Sequence, residues 1–304
     1  MKGSVDAMND VMQQLEGALI QHGPDGDRIY LMALADEASA TIAMQKDERL
    51  IASLLILYRE RGYSKIFAKV PMKRVVPFLL AGFCMESTVP RLFRGQDDVA
   101  FLAYYGEEGK GRGMSQRRQV DREEMRSFQS LLAQVEQVSF PPLAGRFRWF
   151  HCVPDDIPEM AELYGRVFDR YPFPIDSPAY LKKTMESHVK YLGIRDREDR
   201  RLIALASVEY HAFSRCVEMT DFAVLPEARG AGLALFLLGR MEQETVEKKI
   251  PVAYTIARLK SLGMNATFLK GGYHYAGTLP NNTFIGGGLE SMNVYYKVLL
   301  PVCG

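Results

Sequence analysis

The chain of 304 residues carries almost no net charge: 38 Lys and Arg against 37 Asp and Glu leave +1 at pH 7. So even a balance excludes a general electrostatic grip on nucleic acid or an anionic membrane surface, which needs a basic excess. Any phosphate site must be local. Cysteine is scarce: Cys84, Cys152, Cys216 and Cys303 are widely spaced and form no C-x-x-C pair, the pattern of idle or buried thiols in a reducing compartment. The five histidines (His22, His151, His188, His211, His274) include no two at helical ligand spacing, so no structural metal is expected. Long apolar runs are missing too. "LIASLLILY" is too short to span a bilayer, and the start M-K-G-S-V-D has no apolar signal core. We expect a soluble, cytoplasmic protein with neither a nucleic-acid nor a membrane partner.

What is present is core-forming residues, 47% of the chain, with 25% charged. That composition excludes global disorder. Residues 5 to 20 read as a short amphipathic helix, "RIYLMAL" as a strand, 47 to 62 as a helix ending at Gly62, "YSKIFAKV" as a strand, "KRVVPFLLAGF" as a helix and "DDVAFLAYY" as a strand. Residues 106 to 128 are charged, glycine-rich at first and then helical. We place a domain boundary after them, giving domains 1–140 and 141–304. Beyond it the order is β-α-α-β-β-β-α-β-α-β-β, with "HYAGTL" and "SMNVYYKVL" closing as a hairpin around the loop "PNNTFIGGGLE". That is a mixed α/β (α+β) sheet, not a doubly wound dinucleotide fold. A weak internal echo links "FLLAGF" (78 to 83) to "FLKGGY" (268 to 273). Either the N-terminal half is a worn copy of the C-terminal core or the match is chance.

The most informative stretch is "VLPEARGAGLALFLL", Val224 to Leu238, where a strand passes into a helix through Arg229, Gly230, Ala231 and Gly232. A helix N-terminus offers unpartnered N–H groups and a positive dipole end, which an anion can satisfy. Glycine lets a phosphate approach the main chain closely. A glycine pair alone reads equally well as a turn. No Gly-Lys-Ser/Thr follows, and the third glycine of a dinucleotide fingerprint is absent.

Arg229-x-x-Gly232-x-Ala234 resembles the Q/R-x-x-G-x-G/A signature of the GNAT acetyltransferases, and "VEMTDFAVLPEARG" resembles their fourth strand and pyrophosphate loop. "YTIARLKSLGMNATFLKGGYHYAGTLPNNT" and "GGGLESMNVYYK" are similar to one branch of that family, the β-lysine N6-acetyltransferases. The likeness is strong over roughly 145 to 300 and loose before it. One departure is the first Tyr of "VYYK", where the branch carries Trp. The resemblance implies a GNAT acyl-CoA N-acyltransferase fold in the C-terminal half with a smaller GNAT-like α/β domain before it. It implies acetyl-CoA as cosubstrate and a small amine, β-lysine, as acceptor, giving a compatible solute. Another amine acceptor, or a CoA-sensing module without turnover, stays open. Residues 1–140 are left three roles: completing the acceptor site, forming a homodimer, or stabilising the fold.

By the same resemblance, the amides of Arg229, Gly230, Ala231, Gly232, Leu233 and Ala234 cradle the pyrophosphate, and Phe222, Ala223 and Val224 bond the pantetheine arm. Ser261 and Asn265 contact the cofactor or cap a helix. Acetyl transfer needs a neutral amine, from a pKa of about 10.4, an oxyanion donor, and tolerance of a thiolate of pKa about 8.5. Glu218 is the general-base candidate, or else a strand carboxylate in a salt bridge. Asp221 ranks second, as an amine anchor if a bulge re-aims it. The main-chain N–H of Val224 or a neighbour is the family's oxyanion donor. The family's usual acid, a tyrosine five residues before the aromatic of "FLKGGY", is here Phe268, so Tyr254, Tyr273, Tyr275 or water must substitute, and we take Tyr273 forward. For the acceptor, Arg258 suits a carboxylate, Glu290 an ammonium, and Asn281, Asn282, Thr283 and Asn293 either. Gly286, Gly287 and Gly288 read as a mobile loop or a plain hairpin loop.

Overall fold

The computed structural model describes residues 10–35, 40–106, 117–212 and 214–300. The N-terminal half runs β1 (Val11–Leu15), β2 (Ala18–Gly23), β3 (Arg28–Ala33), α1 (Ala40–Arg61), β4 (Lys65–Pro71), α2 (Val75–Leu80), β5 (Cys84–Phe93), β6 (Asp97–Tyr104) and α3 (Arg122–Gln134). The C-terminal half runs β7 (Phe147–His151), α4 (Ile157–Val167), α5 (Pro178–Ser187), β8 (Val189–Asp196), β9 (Leu202–His211), β10 (Cys216–Val224), α6 (Leu233–Glu247), β11 (Val252–Arg258), α7 (Leu262–Lys270), β12 (His274–Ile285) and β13 (Gly288–Val298). This is the element order expected for that half, and the mixed α/β class is the one found. No helix among the described residues is long and apolar enough to cross a membrane.

The strands join in one 13-stranded sheet, ordered β1-β2-β3-β4-β6-β5-β12-β13-β11-β10-β9-β8-β7. The two halves repeat one pattern. In each, a parallel pair (β3 with β4, β10 with β11) is crossed by a helix, and an antiparallel pair (β5 with β6, β12 with β13) closes the inner edge. The internal echo falls on equivalent elements. Phe83 N–H bonds Phe78 O and Gly82 N–H bonds Leu79 O at the end of α2. Tyr273 N–H bonds Phe268 O and Gly272 N–H bonds Leu269 O at the end of α7. Both are the paired 6→1 and 5→2 bonds that end a helix on a left-handed residue.

Helical spacing puts Leu233, Leu237, Leu238, Met241 and Thr245 on the buried face of α6. Ile157, Met160, Leu163 and Tyr164 do the same for α4. Both helices join the core of the C-terminal half, to which α3 adds Phe128. A second core lies between α1, α2 and strands β2, β3, β4 and β6. A third, of Tyr30, Phe67, Phe101, Tyr254, Leu279 and Val294 among others, takes residues from both halves.

Three expectations need correction. Residues 11–23 form a hairpin, not a helix: Glu16 and Gly17 have φ of 49° and 78°, the two left-handed residues of a tight hairpin turn. Residues 5 to 9 of that stretch lie outside the described residues. Strand β5 was not anticipated, because "CMESTVPRLF" carries a proline and alternates poorly. The "PNNTFIGGGLE" loop is mostly strand: pairing runs from Thr283 with Glu290 to Ile285 with Gly288, leaving Gly286 and Gly287 as the turn.

Candidate active site

Strands β10 and β11 pair only from Cys216 with Val252 to Glu218 with Tyr254. Beyond that point they part, and β10 continues to Val224 beside β9 alone. The parted edges line a cavity of about 690 Å³ with Met219 to Phe222, Val224, Thr255 to Arg258, and the junction residues Arg229, Gly230, Gly232, Leu233 and Ala234. Leu225 N–H turns to Ile203 O on β9 at 3.0 Å. Alternation along the strand therefore turns the main chain of Val224 the other way, into the split. Ala223 is fully buried against the core, and Phe222 packs edge-on to Phe268 at 5.5 Å.

At the junction Gly232 is the N-cap of α6, with φ 74° and no side-chain cap. Gly230 has φ 84°, and a Cβ there would meet nothing within 4 Å. Arg229 to Gly232 are exposed. The first backbone bond of the helix is Phe236 N–H to Gly232 O, so the amides from Gly230 to Leu235 lie ahead of the ladder, whereas the Arg229 N–H, expected in the cradle, is taken by Pro226 O at 3.3 Å. Bare amides, a positive dipole end and open space fit a diphosphate, and the parted strand edge fits an extended amide-bearing arm. Acetyl-CoA has both.

A bulge lies between Thr220 and Ala223 in the β9–β10 register, with Asp221 at φ 54°. It re-aims Asp221 as a bulge can: its carboxylate accepts from Ser207 Oγ at 2.6 Å and from Tyr171 Oη at 2.7 Å. Burial pushes the Asp221 carboxyl above its usual range against these two donors. Burial beside Asp221 keeps Tyr171 protonated well above the ordinary phenol range. Glu218 sits where the strands part, accepting from Tyr254 Oη at 2.6 Å. Burial lifts its pKa to about 7, with Lys69 pulling down and Glu209 pushing up.

The remaining candidates are distributed otherwise. Arg258 and Ser261 line the cavity, and Ser261 is the N-cap of α7 without a side-chain bond. Arg258 is held bidentate by Glu290, at 2.7 and 2.6 Å, and Lys260 adds a third contact to Glu290 at 2.5 Å. Asn265 is fully buried. Its amide donates to the carbonyls of Arg258, Leu259 and Ser261, and its oxygen accepts from Asn293 and Tyr295. It staples the turn after β11 and leaves nothing for a ligand. Asn293 is further held by Thr278 at 2.7 Å. Asn281 donates to the carbonyls of Arg117 and Gln119, while Arg28 donates to Asn282 O and Thr283 Oγ1. Tyr273 is buried behind α7, against Phe268 and near the Lys297 ammonium, and does not line the cavity. Phe268 does line it, without a hydroxyl to give. Tyr171, Ser207 and Lys69 were not foreseen. Their residue types carry no signal, since each gains its role from a partner 14 to 185 positions away.

A split parallel pair leading to a bare helix N-terminus, with a carboxylate where the strands part, defines an acetyl-CoA-dependent N-acetyltransferase of the GNAT class. No family model matches the chain. It is 35% identical over 288 residues, 94% of its length and 97% of the relative's, to the beta-lysine N(6)-acetyltransferase of Methanococcus maripaludis. It is 42% identical over 145 residues to the N-acetyltransferase YodP of Bacillus subtilis, covering 48% of this chain and 52% of that one. Over 144 residues it is 35% identical to the beta-lysine N(6)-acetyltransferase of Methanosarcina mazei, covering 47% and 52%. The chain belongs to the β-lysine N6-acetyltransferase family.

Proposed function

We propose that the protein transfers the acetyl group of acetyl-CoA to the ε-amine of β-lysine. The observation that carries this is the 35% identity over 94% of the chain to a β-lysine N6-acetyltransferase, on a chain whose β10–β11 split and α6 junction suit acetyl-CoA. Acetyl-CoA supplies the activated acyl group as a thioester.

The chain's own residues do the rest. The amides from Gly230 to Ala234 hold the diphosphate, and the main chain of Phe222 and Val224, on the side facing the split, holds the arm, Ala223 being turned to β9. The Val224 N–H, turned into the split, is the oxyanion donor. Glu218 takes the proton of the attacking amine, directly or through a water. With a pKa of about 7 it is largely ionised just above neutrality and still basic enough to accept a proton. Asp221, steadied by Tyr171 and Ser207, anchors the amine. Arg258, with its side chain 27% exposed, offers its remaining donors to the acceptor carboxylate. No tyrosine stands at the Phe268 position, so the leaving thiolate is protonated by water or departs as the anion. The free cysteines Cys84, Cys152 and Cys216 support a cytoplasmic setting, where N6-acetyl-β-lysine serves as a compatible solute.

The test is CoA release with β-lysine, α-lysine and spermidine as separate acceptors. We expect kcat/KM for β-lysine to exceed the others at least about tenfold, a difference of ~1.4 kcal/mol in transition-state binding. Equal rates with α-lysine or spermidine would remove the acceptor assignment. Tight CoA binding with no release for any amine would remove the enzymatic one.

A further inference from the structure

The cation that answers the charge of Glu218 comes from the other half of the chain. Lys69 leaves β4, and its Nζ lies 3.0 Å from the Tyr254 hydroxyl. That hydroxyl donates to Glu218 Oε2 at 2.6 Å. An ammonium donates and cannot accept, so the bonds run one way, from Lys69 to Tyr254 to the carboxylate. The ammonium also lies 5.4 Å from the ring centroids of both Tyr30 and Tyr254, a cation–π seat that fixes it from two sides. Lys69, His211 and Tyr254 together form part of the wall of a cavity of about 930 Å³, which opens where β3 and β4 part in the N-terminal half.

We propose that Lys69 is a positioning residue of the catalytic unit: through Tyr254 it holds Glu218 ionised and aimed, so that the N-terminal half sets the pH at which the C-terminal half turns over. This rests on the reading of Glu218 as the base.

The groups facing Glu218 come from several elements. Lys69 of β4, Tyr254 of β11 and Tyr30 of β3 meet it from one side. Glu209 of β9 and Asp221 of β10 oppose its ionisation, and Tyr171 lies within its field. His211, 3.3 Å from the Tyr254 hydroxyl, is held neutral by burial and by Lys69, with a pKa of about 4. Glu209 is itself tied to His188 at 3.5 Å. Lys69 is therefore the charge whose removal leaves two carboxylates acting on Glu218 with their cationic counterweight gone.

The experiment is the pH profile of kcat/KM for the amine, at saturating acetyl-CoA, in the full chain. Lys69→Gln keeps a donor and loses the charge. We expect its acidic limb to move up by about one pH unit or more, since an opposite charge at this range lowers a carboxyl by 1–3 units. The KM for acetyl-CoA stays at its parent value, and Lys69→Arg keeps the limb near the parent position. A limb unmoved in folded Lys69→Gln overturns the proposal. Glu218→Gln separates the two readings. If that variant keeps the acidic limb, the base assignment falls. If it loses the limb while Lys69→Gln leaves it in place, only the role of Lys69 falls. Should Lys69→Gln lose its cooperative melt, Tyr254→Phe carries the test: removing the shared hydroxyl must also raise the limb, and an unmoved limb there overturns the coupling.

Discussion

A carboxylate held where two strands part is costly to the fold and useful to the chemistry for one reason. Burial raises the Glu218 pKa from the ordinary carboxyl range to about 7. The folded protein then prefers the protonated form. Its stability is unaffected below the unfolded pKa, falls as pH climbs from there to about 7, and stays reduced above. Removing the carboxylate relieves that penalty but also strips the buried Lys69 ammonium of a counter-charge, so Glu218→Gln is expected to melt within about 1 kcal/mol of the parent at about pH 8. The same variant loses roughly 10²- to 10⁴-fold in kcat/KM, the range of a general base, together with the acidic limb. Thermal melts and pH profiles on one preparation check both. A clear loss of stability at high pH with activity retained would make Glu218 a structural ion-pair partner. The expected bulge at Asp221 is present, and Glu218 was singled out by the family resemblance alone. Asn281, Thr283 and Asn293 have their side chains taken within the chain for a physical reason: amides and hydroxyls suited to a substrate also suit neighbouring main chain and side chains. The carbonyls of Arg117 and Gln119 hold Asn281, Arg28 reaches Thr283 Oγ1, and Asn265 and Thr278 hold Asn293, while Arg28 meets Asn282 only at its main-chain oxygen.

At the scale of the element, the split and the helix start act together. Pairing stops at Glu218 and Tyr254, and α6 begins at a left-handed Gly232, so one ligand can run from strand edge to helix end. A Cβ at Gly232 would meet only Pro141 Cγ, at 3.6 Å. Space is therefore not the obstacle. Strain is: a β-branched residue with φ 74° costs roughly 1–2 kcal/mol or more. Gly232→Val should relax the turn, re-aim its amides and raise the KM for acetyl-CoA about tenfold, the equivalent of ~1.4 kcal/mol. The exposed junction leaves the core intact, so circular dichroism should match the parent. An unchanged KM would show that these amides do not hold the diphosphate. This junction was readable because glycine and helix spacing announce it locally. The β12–β13 hairpin was readable as well, but not the extent of its tip, because three glycines and an Asn pair mimic a loop. The strands pair up to Ile285 with Gly288, and the turn itself is held by a long-range bond from Gly286 N–H to Arg170 O.

The whole molecule turns on how its halves meet. The chain repeats one strand order twice, and the echo of "FLLAGF" in "FLKGGY" hinted at it. No local pattern could show that the inner strands β5 and β12 would lie side by side. They pair at Gly277 with Ser87. Gly277 has φ 147°, and a Cβ there would lie 2.6 Å from Glu86 O and 3.2 Å from Ser87 Cα. Those are main-chain atoms, which cannot swing aside as a side chain can. Nearby, buried Lys65 donates to Glu86 and to Pro280 O, bridging β4, β5 and β12. Gly277→Ala must therefore push the halves apart. We expect a loss of roughly 1–3 kcal/mol, typical of an overpacked site, and a fall in Tm of about 2–4 °C per kcal/mol for a chain of this size. The diphosphate cradle is built wholly from the C-terminal half, so the KM for acetyl-CoA should hold. The contact from Lys69 to Tyr254 spans the join, so the acidic limb of kcat/KM should rise as it does in Lys69→Gln. A variant that melts lower but keeps its pH profile would confine the join to stability. One that loses acetyl-CoA affinity first would place the cradle under the control of the N-terminal half.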